Sequence, residues 1–243
     1  MLACTGRCAG VGALLSMSCF TMNANQCDAI RQMKKIPESA LAVSEPNPSW
    51  FGNPANEPSN PAWTNKNWLK SRFHFSFAEY SNPRNSAFGV LRVLNDDLVQ
   101  PNRGFGEHPH RNMEICTYIV EGSLTHKDST GTRETIGRGG IQFMTAGRGV
   151  THSEHNLDPA RPLRFLQIWI SPRASGLEPK YGSYFGDEAA RKNQWAHLVS
   201  DVAGSAATPI KINQDANIFV TECDSDGCAT LDLGPGRQAY LVC

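Results

Sequence analysis

From Trp68 onward the apolar residues fall into short runs, some alternating with polar positions, separated by Gly, Pro and Asn/Asp clusters. Arg72–Ala78 alternates strictly and sets Phe73, Phe75 and Phe77 on one face of a strand. Phe88–Leu94 reads as a second strand, ended by an Asn95-Asp96-Asp97 turn. Further strands follow at Glu114–Val120, Ser123–His126, Ile141–Met144 and Arg164–Ile170. Ser175–Gly186 reads as a polar connection, and Asp187–Trp195 has some helical character. A last set comprises Pro209–Ile212, Ala216–Thr221, Ala229–Leu233 and Gln238–Val242. Short strands at regular spacing without helical crossovers predict an all-β antiparallel sandwich or barrel.

Residues 1–62 carry no such pattern. The first 27 hold Arg7 but no Asp or Glu, and Val11–Phe20 is a short apolar run. That composition resembles an organellar transit segment, or a weak secretory signal. Six prolines lie between Pro37 and Pro61 among Asn, Ser and Glu. The expectation is a disordered leader over 1–62, a first domain over 63–175 and a second region over 176–243. The final strand, at Gln238–Val242, would be left as an unpaired edge.

Composition narrows the partners. Hydrophobic residues are 40% and charged residues 19%, enough apolar material for a core. Lys+Arg and Asp+Glu are 23 each, so nothing in the net charge draws the chain to nucleic acid. No apolar run reaches the ~18 residues of a membrane-spanning helix. Four of the eight cysteines fall within the first 27 residues, too few elsewhere for a disulfide scaffold. Free thiols in a reducing compartment are expected, in cytoplasm or nucleus unless the leader directs the chain to an organelle.

Candidate chemistry lies in two pairs. His108-Pro109-His110 follows a Gly-rich stretch, and residues two apart on a strand point to the same side. His152-Ser153-Glu154 repeats that spacing after Gly147-Arg148-Gly149. Brought together from different strands, three neutral imidazoles and one carboxylate would hold a single ion and leave positions open. That donor set suits iron, manganese, nickel, copper or cobalt better than structural zinc. His74, His126, His155 and His197 lack a partner at that spacing and receive no ligand role.

Gly147-x-Gly149-x2-His152-x3-Asn156 resembles the second cupin motif, and His108-x-His110-x3-Glu114-x7-Gly122 the first. His108–Glu114, Glu121-Gly122, Thr145–Glu154 and Leu166–Ile170 together resemble the pirin family. That resemblance implies a bicupin, with double-stranded β-helix (jelly-roll) barrels and one metal, usually iron(II), in the first. It implies His108, His110, His152 and Glu154 as ligands, with Glu114 a hydrogen-bond partner near the metal and a candidate proton acceptor. Against the family pattern the second barrel is cut short. Members resembling this chain include flavonol (quercetin) 2,3-dioxygenases, which would make a flavonol and O2 its partners. The alternatives are an iron-dependent, redox-sensing transcription cofactor acting through a protein partner, and a small-molecule-binding cupin without catalysis.

Overall fold

The computed structural model describes residues 2–4 and 34–243, so the transit-segment expectation lies almost wholly outside the described residues. Its strands are β1 (Leu2–Cys4), β2 (Ala42–Ser44), β3 (Leu69–Phe73), β4 (Leu91–Val99), β5 (Arg103–His110) and β6 (Glu114–Glu121). They continue with β7 (Ser123–Asp128), β8 (Arg133–Gly137), β9 (Ile141–Thr145), β10 (Val150–Asn156) and β11 (Leu163–Ile170). The last are β12 (Lys180–Tyr184), β13 (Ala196–Asp201), β14 (Ile210–Ile212), β15 (Ile218–Thr221) and β16 (Leu241–Val242). Among the described residues a short α-helix, α1 (Glu188–Arg191), is capped by the Asp187 side chain, which accepts from the amides of Ala189 and Ala190.

Seven strands form one sheet in the order β12-β9-β6-β11-β4-β3-β2, and four form another in the order β5-β10-β7-β8. Side chains from both meet in a barrel interior. One end of it is apolar, built on Trp68, Val99, Ile119, Leu124, Leu163 and Phe165. Ile115, Met144, Ala146 and Val150, with Met113 and Trp169 against them, form a separate apolar cluster.

The opposite face of the large sheet is buried as well. Leu94, Cys116, Tyr118, Leu166, Ile168 and Ile170 join Leu198, Val199, Ile210 and Val220 in one shared core. The residues from 196 onward thus lean on the barrel through a five-stranded sheet of order β14-β13-β15-β1-β16. Burial on both faces explains why β6 and β11 read as nearly continuous apolar runs.

The sequence boundaries shift in five places. First, residues 34–62 do not behave as a disordered linker: β2 pairs with β3, and the Trp68 indole donates to the Pro46 carbonyl at 2.7 Å. Phe51 lies against Trp68 and Phe105, with ring centroids 5.6 and 5.1 Å apart, and Arg103 binds Glu57 at 2.8 Å. These contacts join residues far apart in sequence, so local periodicity does not announce them. Second, the connection after Pro172 contains β12, which extends the barrel sheet by pairing with β9.

Third, Asn95-Asp96-Asp97 is the middle of β4 and not a turn. Asp96 takes a bidentate ion pair from Arg164 at 2.8 and 2.7 Å, while Asp97 is buried. Fourth, the alternating Phe run belongs to β3 only as far as Phe73. Fifth, β16 is not left unpaired, since β1 runs parallel to it and to β15, and Ala229–Leu233 forms no strand.

Candidate metal centre

β5 and β10 are antiparallel neighbours, and their register sets His108 opposite His152 and Val150 opposite His110. A bulge lies between these pairs and the next, where Phe105 faces Glu154, so Gly106 and Glu107 together oppose Ser153. The extra residue lets Phe105 and His108, three apart, both face the ring cluster. Gly106 also passes close to the 3-10 turn at Pro48–Phe51: a Cβ there would come within 2.3 Å of the Phe51 carbonyl oxygen. Only glycine fits.

The three imidazoles converge. Ring centroids are 4.8 Å apart for His108–His110, 4.5 Å for His108–His152 and 4.8 Å for His110–His152. One ligand atom from each lies within 4.8 Å of the others. The Gly106 carbonyl can only accept, so His108 donates to it from Nδ1 at 2.7 Å. Nε2 of His110 and of His152 are buried without a hydrogen-bond partner. Burial, reinforced by the His152 and His108 rings and opposed by Glu154, lowers the His110 pKa to about 3. Burial, then His108 and His126, lowers His152 likewise to about 3 against the pull of Asp128. Neutral imidazoles with orphaned Nε2 atoms fit a divalent transition metal. His108 and His110 are half-buried and His152 is 2% exposed, so the cluster is reached from the His108–His110 side.

Glu154 shares the inward face of β10 with His152 but groups with His126 and His152, not with His108 and His110. Its Oε1 accepts from Gln142 at 3.0 Å and Thr117 at 3.3 Å, and its Oε2 accepts from Gln167 at 3.0 Å. The carboxylate is thus held by neutral donors from three strands of the large sheet. Asp97 lies in the same interior. Burial pushes its carboxyl up to about 8, opposed by the Ser71 hydroxyl and reinforced by Asp96 and Glu154.

Glu114 does not stand beside the histidine cluster. On β6 the odd residues Ile115, Thr117 and Ile119 face the barrel interior, so Glu114 faces the other way. Its Oε2 accepts from Thr145 at 2.8 Å and its Oε1 from Asn213 at 3.2 Å. Burial pushes this carboxyl up against those two bonds. Glu114 ties the barrel to the second region.

His126 is the residue that spacing understated. It is 1% exposed, lies between His152 and Asp128, and stacks on Tyr181 at 4.6 Å with rings 26° apart. The signal was present as a third pair, His126-Lys127-Asp128, with the same two-residue spacing as the others. His74 is bonded through Nδ1 to the Tyr240 hydroxyl at 2.9 Å, and His197 through Nε2 to Asn217 at 2.9 Å. His155 is half-buried and outside both ligand groups.

A family model described as Pirin matches residues 57–170. A Pirin-like protein of Caulobacter vibrioides is 41% identical over 176 residues, covering 72% of this chain and 75% of that one. The chain belongs to the pirin family. A quercetin 2,3-dioxygenase of Escherichia coli K12 is 46% identical over 177 residues, 73% of this pirin and 74% of the relative. The bacterial pirin YhhW of Escherichia coli, solved in complex with nickel(II), is 35% identical with a TM-score of 0.58. That likeness covers 68% of this pirin and 69% of YhhW. The family match begins at Glu57, inside the segment that clamps Arg103.

Proposed function

We propose that this pirin binds one divalent transition metal through His108, His110, His152 and Glu154 and oxidises a flavonol with O2. The observation that carries this reading is the convergence of three imidazoles, with the Nε2 atoms of His110 and His152 buried and unpartnered and His108 and His110 only half-buried. The relatives named as quercetin 2,3-dioxygenases and the nickel-bound relative support it. Iron(II) is the metal proposed, with manganese, nickel, copper and cobalt accepted by the same donors. Bound there, the ion would act as a Lewis acid for a chelating oxygen pair and mediate electron transfer to O2.

The protein's own groups do the rest. The Gly106 carbonyl orients the His108 ring, and burial holds the His110 and His152 rings neutral. Trp169, edge-on to His110 at 4.8 Å, forms an aromatic wall beside that ring. A flavonol offers a 3-hydroxy-4-keto edge, and its anion would offset the net +1 left by a divalent ion and one carboxylate.

Metal-loaded protein should therefore consume O2 with quercetin and not with a flavone lacking the 3-hydroxyl. His152→Ala should lower nickel affinity by ~10²-fold or more and abolish uptake. Loaded wild-type protein that leaves quercetin and O2 untouched would overturn the enzyme reading.

A further inference from the structure

Behind His152 lies a row of buried groups that the metal-ligand set does not use. His126 Nδ1 stands 3.4 Å from His152 Nδ1, and His126 Nε2 stands 3.0 Å from Asp128 Oδ2. All three residues are at most 7% exposed. The other oxygen of Asp128 is committed to the turn after β7. Oδ1 accepts from the Thr130 amide at 2.9 Å, the Thr130 hydroxyl at 2.6 Å and the Thr132 amide at 3.1 Å. Tyr181, reaching in from β12, stacks on the His126 ring while its hydroxyl donates to Glu134 at 2.9 Å. The row is locked at both ends.

Proton placement along it follows from donor and acceptor rules. A carboxylate only accepts, so His126 donates from Nε2 to Asp128. In a ring carrying a single proton, Nδ1 is then only an acceptor. His152 must therefore donate from Nδ1, which leaves its Nε2 without a proton. That is the nitrogen buried with no partner on the side of His108 and His110.

We propose that His126 and Asp128 are positioning residues that fix His152 as the Nδ1–H tautomer, aiming a bare Nε2 at the metal position. The inference rests on the metal-centre reading for its consequence, not for its geometry. A ligating histidine whose other nitrogen is fixed by a hydrogen bond binds metal better, and losing such a partner costs typically ~10–100-fold in affinity.

Asp128→Asn tests the direction of the relay. The three donors at Oδ1 hold the amide oxygen in the turn and turn Nδ2 toward His126. Nδ2 would then donate to His126 Nε2, His126 Nδ1–H would donate to His152 Nδ1, and His152 would carry its proton on Nε2. Long-range proton–nitrogen NMR of metal-free protein should show His152 protonated on Nδ1 in wild type and on Nε2 in Asp128→Asn. Calorimetric titration with nickel(II) should show ~10–100-fold weaker binding in Asp128→Asn and in His126→Ala. The near-isosteric Asn keeps the test valid if His126→Ala does not fold. An Nε2-protonated His152 in wild type, or no tautomer change in Asp128→Asn, would overturn the proposal. So would a changed tautomer with unchanged nickel affinity. Wild-type protein that binds no nickel yet shows the tautomer reversal would sink the metal-centre reading and uphold the relay.

Discussion

Two buried carboxylates, Glu114 and Asp97, separate roles that spacing alone runs together. Glu114 lies four residues past His110, where the resemblance sets a proton acceptor, yet its bonds go to Thr145 and Asn213. Glu114→Gln should leave nickel affinity within twofold and lower stability by about 1 kcal/mol, read by titration and thermal melts. A large loss of nickel binding would return Glu114 to the site. Asp97 behaves differently. Its buried carboxyl keeps a proton that the unfolded chain releases near the ordinary Asp value of 3.8. Between that pH and about 8 the native state binds more protons, so stability falls as pH rises through the window. Metal-free Asp97→Asn should therefore be more stable than wild type by ~2 kcal/mol at pH 8, with the advantage vanishing near pH 4. Parallel pH–stability curves for the two proteins would contradict it.

Among the elements, β5 shows what was legible and what was not. The His-x-His spacing, the inward parity of β10 and the convergence of three rings follow from two-residue periodicity. The bulge at Gly106-Glu107 does not, because it depends on the register against Ser153. Nor does the reason for Gly106, since the turn it admits is more than fifty residues upstream. Gly106→Ala should push the Pro48–Phe51 turn off the barrel, cost about 2 kcal/mol, and weaken metal binding by shifting the carbonyl that holds His108. Equal melting temperature and nickel affinity would show that the turn yields freely. β4 teaches the same lesson: Asn95-Asp96-Asp97 is turn-forming by composition, but Arg164 and a polar interior give those side chains partners inside a strand. β12 was hidden because its sequence, Lys-Tyr-Gly-Ser-Tyr, half-buried after the exposed Lys180, shows no apolar alternation.

For the molecule as a whole, the shared core decides how it comes apart. Ile168 of the barrel and Val199 of the second region are both fully buried in the same cluster. Ile168→Ala and Val199→Ala should each cost ~2–4 kcal/mol and lower one common transition. Tryptophan fluorescence and far-ultraviolet dichroism should report coincident melting. Separate transitions, with each variant moving only one, would mean that the two sheets fold independently. The all-β class was readable from strand spacing, whereas the division at 175/176 was not, because β12, wholly beyond it, pairs back with β9 in the barrel sheet.

The two faces of β6 carry a consequence for anyone wishing to treat the metal barrel as a portable module. Thr117 reaches Glu154, and its neighbours Cys116 and Tyr118 belong to the wall beneath the second region. A barrel excised without residues 196–242 would keep every proposed metal ligand. It would also present Leu94, Cys116, Tyr118, Leu166, Ile168 and Ile170 to water as a continuous sticky surface. Such a fragment would find its missing cover in other copies of itself, so its chemistry cannot be inherited without its neighbour.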